Sequence, residues 1–286
     1  MDNIPGTGTV LITGGTSGLG LHLTKIFLKN GFTVVAVGRR HINITGCGDK
    51  FRSVKADFSD LVGTARIIRE LCRSLSFDLV INNAGILSPP RYTSTQDGFE
   101  YTFQVNFLSH VLINEIIISE KPDSLPLMIA AVTSPVYKLI KVVDNKFFEK
   151  KHYRSFGAYS YSKLYLAMMC CHFSEKYHDK KITCISFDPG VFRSGIYRMR
   201  SRFFGRLYRI AAPIMKNPEK VADALFSTLT GSNLSDQGIY DIKGNIIFLP
   251  EYDPRATALL WDKCYDAIGP LIKDPLMTGS SQRACK

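Results

Sequence analysis

Apolar residues come along this chain in short runs broken by turn formers, and stretches with helical spacing lie between the runs. TVLIT (9–13) is apolar and β-branched and predicts a buried strand. A glycine turn follows, then helical spacing through HLTKIFLKN (22–30), closed by Gly31 as its cap. FTVVAVG (32–38) predicts a second strand, and FRSVKADF (51–58), which alternates, a third. LVGTARIIRELCRSL (61–75) has helical spacing, and DLVINNAG (78–85) is the next strand and its turn. FEYTFQVNFLSHVLINEIIIS (99–119) predicts one long helix, apolar on a wide face. LPLMIAAVTS (125–134) is a strand ending in hydroxyls, AYSYSKLYLAMMCCHFSEKY (158–177) a long helix, and KITCISFDPG (181–190) a strand stopped by Pro-Gly. PEKVADALFSTLTG (218–231) is a helix with Pro218 at its start.

Strand and helix alternate, which predicts an α/β domain with a doubly wound parallel sheet and helices on both faces. No repeat, low-complexity tract or linker divides the chain, and 286 residues at 45% hydrophobic suit one domain. No window is long and apolar enough for a membrane span. The start, MDNIPGTGTVLITGG, has no basic region before a long apolar one, so no signal peptide is expected and a cytoplasmic location is. Seven cysteines without a CxxC pair fit buried thiols in a reducing compartment, and six scattered histidines give no metal site. The net charge is +11, and much of it falls between Arg193 and Lys216, which hold six arginines, one lysine and no acid.

TGGTSGLG (13–20) sits between the first strand and the first helix. Gly14, Gly18 and Gly20 stand where a tight turn, close phosphate approach and helix–strand packing need small residues. The N–H groups of such a turn favour a pyrophosphate; a loop rich in turn formers is the plainer alternative. The spacing is GxxxGxG, and here the sequence resembles the short-chain dehydrogenase/reductase family, whose fingerprint is TGxxxGxG. Asp57-Phe58, NNAG (82–85), Asn106 and the Tyr159…Lys163 pair follow in the family's order. The resemblance runs from about residue 9 to 230. It implies a single Rossmann-type domain, with a cofactor-binding and catalytic core over 9–190, a substrate lid over 191–216, and a C-terminal helix and tail over 252–286. It implies cofactor contacts at Gly14, Thr16, Ser17, Gly18, Leu19, Gly20, Asp57, Phe58, Asn83, Ala84, Gly85, Tyr159, Lys163, Pro189, Gly190 and Val191. Ser194 stands where the family more often has a threonine for the carboxamide end of nicotinamide.

The residues after the second strand choose between the two nicotinamide cofactors. An NAD site places a carboxylate there for the ribose 2′-OH. This chain has Gly38-Arg39-Arg40, and the nearest downstream acid is Asp49. Two guanidiniums suit a 2′-phosphate, so NADP(H) is expected at Arg39 and Arg40; exposed loop charge is the alternative.

Three tyrosines surround one lysine in SFGAYSYSKLYLAMM (155–169). A phenol of pKa near ~10 is a sluggish acid at neutral pH, and an ammonium close by lowers that value. On a helix, residues four apart share a face and residues two apart do not. Tyr159 therefore faces Lys163, whereas Tyr161 and Tyr165 pair on another face and are expected to pack. Tyr159 matches the family's general acid. The family usually has its serine at the second hydroxyl of the Thr133-Ser134 pair, so the resemblance implies Ser134 for the hydrogen bond to the substrate oxygen, with Thr133 kept as the alternative. The resemblance also implies that Asn106 fixes a water-linked proton relay to Lys163; a helix-bend asparagine bonding backbone is a second role that can hold at once.

Between Ser134 and Tyr159 lie 24 residues. That insertion, PIMKNPEKVADALFSTL and WDKCYDAIG resemble the retinol dehydrogenase and WW-domain oxidoreductase branch. The branch implies apolar alcohols and carbonyls as substrates: retinoids, steroids or lipid aldehydes. One departure is HINITGCGDK (41–50), which stands where relatives have a whole helix and leaves one sheet face near the adenine less covered. In the basic stretch, Phe203, Leu207, Ile210 and Ile214 recur at helical spacing between arginines, which suits either a lid lying on a membrane or lipid surface or a solvated lid. A homodimer is a further expectation, and nucleic acid is not an expected partner. A non-catalytic NADP-binding regulator on the same fold is the competing function; loss of the tyrosine or lysine would favour it, and both are present.

Overall fold

The computed structural model describes residues 7–143, 149–192, 217–231 and 234–273. Seven strands run parallel: β1 (Thr9–Thr13), β2 (Thr33–Gly38), β3 (Phe51–Lys55), β4 (Leu79–Asn82), β5 (Leu127–Val132), β6 (Ile182–Asp188) and β7 (Ile239–Asp241). A two-residue strand, β8 (Ile246–Ile247), pairs antiparallel with β7 at the edge. The order is β3-β2-β1-β4-β5-β6-β7-β8, so the chain reverses direction across the sheet between β1 and β4. Ligands of open parallel sheets bind at such a switch, beyond the carboxyl ends of the strands.

The helices are α1 (Gly18–Lys29), α2 (Leu61–Cys72), α3 (Tyr101–Phe103), α4 (Ser109–Glu120), α5 (Ser155–Lys176), α6 (Pro218–Thr230) and α7 (Pro254–Lys273). One sheet face is covered by α2, α4 and α5, with α7 laid over α2 and α4. The other is covered by α1 and α6. On α1, Leu19, Leu23 and Phe27 recur every four residues and all are buried. Phe27 meets Phe32 and Phe226 edge-on, with ring centroids 5.1 and 4.9 Å apart, which ties α1 to α6.

Several expectations are refined. The long helix expected over 99–119 is α3 and α4 joined by a π turn at Gln104–Leu108. The third strand ends at Lys55, so Asp57 and Phe58 lie just past it. The first helix starts at Gly18, four residues earlier than its apolar spacing indicates, and Gly31 follows it with φ +91. The link from β2 to β3 holds a 3₁₀ turn, Gly48–Lys50, and no α-helix. Accordingly β3 has no fully buried residue, unlike β2, which is buried from Val34 to Gly38. Strands β7 and β8 were not visible in the sequence, because two or three residues carry no readable period.

Candidate active site

The carboxyl ends of the central strands open onto a cleft of about 330 Å³. One end is walled by the β1–α1 turn, where Gly14, Thr16, Ser17, Gly18, Leu19 and Gly20 all face it. Gly14 has φ +67, and a Cβ on Gly20 would collide with the Gly14 carbonyl oxygen, so both positions require glycine. The turn brings the first turn of α1 to the cleft. Its N-cap, Ser17, makes no side-chain cap bond, and no acid lies in that first turn. Helices α2 and α6, by contrast, are capped. Asp60 Oδ1 accepts from Gly63 N at 2.8 Å and Asp97 Oδ2 from Leu61 N at 3.0 Å on α2, and Asn217 Oδ1 accepts from Glu219 N at 3.0 Å on α6. The α1 start thus points unsatisfied N–H groups and the positive helix end at the cleft, which fits an anion such as a pyrophosphate.

Arg39 and Arg40 follow Gly38 on the same wall. Both are exposed, and neither joins a salt bridge among the described residues. Asp57 and Phe58 complete this end. The Asp57 carboxylate accepts from Ser59 N at 3.0 Å and Ser59 Oγ at 2.8 Å, which fixes the turn after β3.

Asn83, Ala84 and Gly85 form the cleft floor after β4. Thr13, at the end of β1, holds this turn: its Oγ1 accepts from Asn83 N at 2.9 Å and Ala84 N at 3.0 Å. Thr13 Oγ1 also lies 3.0 Å from His110 Nε2, and His110 Nδ1 lies 2.9 Å from the Asn106 carbonyl. A carbonyl only accepts, so Nδ1 carries the proton and the Thr13 hydroxyl donates to Nε2. Burial pushes the imidazole down to about 4, so the ring is neutral at pH 7.

Asn106 sits in the π turn behind this floor and does not line the cleft. Its Oδ1 accepts from Ile86 N at 2.8 Å, and its Nδ2 donates to Ile86 O and Ser162 Oγ, both at 3.0 Å. The side chain therefore fastens the turn after Gly85 to α5, which is the backbone-bonding role expected of a helix-bend asparagine. A Cβ on Gly85 would stand 3.4 Å from Asn106 Oδ1 and 3.5 Å from Lys163 Nζ, so the floor lies beside both residues.

At the other end, α5 presents Tyr159 and Lys163 to the cleft, one helical turn apart. Lys163 Nζ lies 6.0 Å from the Tyr159 ring centroid and donates to the Val132 carbonyl at 3.0 Å. Burial pushes this ammonium down to about 8, which leaves it mostly charged at pH 7. Tyr161 and Tyr165 point elsewhere. Their ring centroids are 5.8 Å apart, the Tyr161 hydroxyl donates to Val142 O at 3.2 Å, and Tyr165 is fully buried against Phe107. Thr133 and Ser134 both line the cleft, but Thr133 Oγ1 donates to Phe187 O at 3.1 Å and its proton is committed.

Pro189 and Gly190 close this end. Val191 is 54% exposed and off the wall, where Phe192 stands instead. Ser194 and the basic stretch 193–216 lie outside the described residues. Sequence reasoning missed Thr13, His110 and Ser162, whose partners are 56 to 97 residues away or set by the π turn. It also missed Ile86, Tyr101 and Val105, which add apolar wall to the cleft. Thr13 did have a signal, a hydroxyl ending an otherwise apolar strand.

The family model for short chain dehydrogenases matches residues 8–202. The chain belongs to the short-chain dehydrogenase family. Among curated relatives of this dehydrogenase, retinol dehydrogenase 14 of Mus musculus is 30% identical over 66% of the chain, and the match spans 63% of that protein, under two thirds of its length. Retinol dehydrogenase 12 of Mus musculus is 27% identical over 93% of the chain and 87% of that protein. Among solved structures, a 3-ketoacyl-(acyl-carrier-protein) reductase from Brucella melitensis complexed with NADH shares the fold, with a TM-score of 0.63 and 19% identity over 82% of this chain and 96% of that one. No helix among the described residues is long and apolar enough to cross a membrane.

Proposed function

We propose that this dehydrogenase passes a hydride between NADP(H) and a hydrophobic carbonyl or alcohol, with Tyr159 as general acid and base. The observation that carries the reading is the convergence of Ser134, Tyr159 and Lys163 on the cleft whose opposite end is the uncapped start of α1. When bound, the nicotinamide cofactor supplies or accepts the hydride. The β1–α1 turn and the floor Asn83-Ala84-Gly85 would hold its phosphates and ribose, and Pro189 and Gly190 its nicotinamide end. Arg39 and Arg40 support the phosphorylated form, since their guanidiniums are exposed on the wall without a salt-bridge partner among the described residues.

The chain's own residues then do the acid–base work. Ser134 donates to the substrate oxygen as negative charge grows there, and Tyr159 delivers the proton. The Lys163 ammonium stabilises the phenolate left behind. Asn106 positions the floor beside Lys163 and supports a proton path from it to solvent. The relatives' names, retinol dehydrogenases, support a retinoid-sized apolar substrate, as does the apolar wall of Ile86, Tyr101, Val105 and Phe192. The composition of 193–216 supports a peripheral contact with a lipid surface. Incubation with NADPH and a panel of carbonyls, including all-trans-retinal and ketosteroids, tests the function: consumption of NADPH with an apolar carbonyl is expected, and none with any member would contradict it.

A further inference from the structure

Two turns form the catalytic end of the cleft. One follows β5 and begins at Ser134; the other follows β6 and contains Pro189 and Gly190. They come from segments more than 50 residues apart, and one ion pair joins them. Lys138 Nζ lies 3.0 Å from Asp188 Oδ2, and Asp188 Oδ1 accepts from Gly190 N at 3.0 Å. Lys138 belongs to the 3₁₀ turn Pro135–Leu139, in which Tyr137 N donates to Ser134 O at 3.1 Å. A continuous bonded path therefore runs from Ser134 through Lys138 and Asp188 to Gly190.

The two partners differ in burial. The Asp188 side chain is 4% exposed and the Lys138 side chain 45%. Lys138 is the one cation paired with this carboxylate among the described residues. A buried carboxylate that loses its partner is strongly disfavoured, so the turn carrying it has a reason to stay docked on Lys138. The neighbouring phenol of Tyr137 does not substitute, since it has no hydrogen-bond partner among the described residues. Burial first, and the Asp188 charge second, push that phenol up to about 12.

We infer that Lys138 is a positioning residue that acts through Asp188, holding the Gly190 turn against the Ser134 turn and so fixing the nicotinamide end of the cleft. The inference rests on the reading above that nicotinamide lies at that end. Cofactor held out of line by even a fraction of an ångström reacts more slowly, while its adenosine half, anchored at the β1–α1 turn, is untouched.

The test compares two probes on the full chain: NADPH, and 2′,5′-ADP, which has no nicotinamide. Lys138→Met is expected to raise the Kd for NADPH by about fivefold and lower turnover by about tenfold, leaving the Kd for 2′,5′-ADP unchanged. Lys138→Arg should restore both, and Asp188→Asn, which keeps an acceptor for Gly190 N, should shift both in the same direction by less. A Lys138→Met protein with a lower Tm but wild-type NADPH affinity and turnover would reduce the pair to a structural one and overturn the inference. Equal weakening of both probes would overturn it as well. Wild-type protein that binds neither NADPH nor NADH would overturn the cofactor reading itself.

Discussion

The two ends of the cleft are built in opposite ways. At the β1–α1 end the wall is main chain, two required glycines and two exposed arginines, with helix N–H groups that no side chain caps. At the α5 end the groups are side chains buried and tied to their neighbours: Lys163 to the Val132 carbonyl, Thr133 to Phe187, and Asn106 behind them to Ile86 and Ser162. The first end suits binding, because its donors wait for an anion. The second suits chemistry, because its groups are held in place before any substrate arrives. The difference also has a stability side. A buried ammonium is disfavoured by desolvation, so the α5 end weakens the fold where the proposed reaction needs the Lys163 charge.

Removing the buried charge should separate those two consequences most sharply. Lys163→Met is expected to lower turnover by about 100-fold or more, since the phenol loses the charge that makes it a good acid. The same variant should be at least as stable as wild type at pH 7. Lys163 is pushed down to about 8 in the fold, against ~10.4 in the unfolded chain, so below pH 8 it costs the native state on the order of 3 kcal/mol. The sign is checked by pH. Between about 8 and ~10.4 the unfolded chain binds more protons, so wild-type stability from this group rises with pH while wild-type turnover falls as the ammonium is lost. Thermal melts and rate profiles over that window, with Lys163→Met lacking both trends, read it out; a large drop in Tm for the variant at pH 7 would contradict the cost.

At the binding end, Arg39→Asp should raise the Kd for NADPH more than tenfold, with a far smaller change for NADH. An unchanged NADPH affinity would remove the basis for the NADP preference. The smallest effect is expected away from both ends. Tyr161→Phe loses one hydrogen bond to Val142 O, so stability should fall by about 1 kcal/mol and turnover should change less than twofold. A large loss of turnover would put a second tyrosine in the chemistry.

Local periodicity made much of this molecule legible. Central strands buried on both faces read as apolar runs, and β1, β2, β4, β5 and β6 were placed within a few residues. That Tyr159 and Lys163 share one side of α5 while Tyr161 and Tyr165 pack on another needed the helical repeat alone, because these residues lie on the same helix. Features set by distant contacts were not legible. The π turn at Asn106 keeps the apolar face of an ordinary helix, so its spacing hides it. His110 reads as a polar interruption until Thr13, 97 residues away, arrives at its Nε2. Lys138 reads as one cation in a basic stretch until β6 brings Asp188 to it.

The most direct test is single-turnover reduction of all-trans-retinal by NADPH with wild-type protein and Tyr159→Phe at equal cofactor occupancy. The account predicts a rate about 100- to 10,000-fold lower in the variant with NADPH affinity little changed. Full turnover by Tyr159→Phe would contradict it.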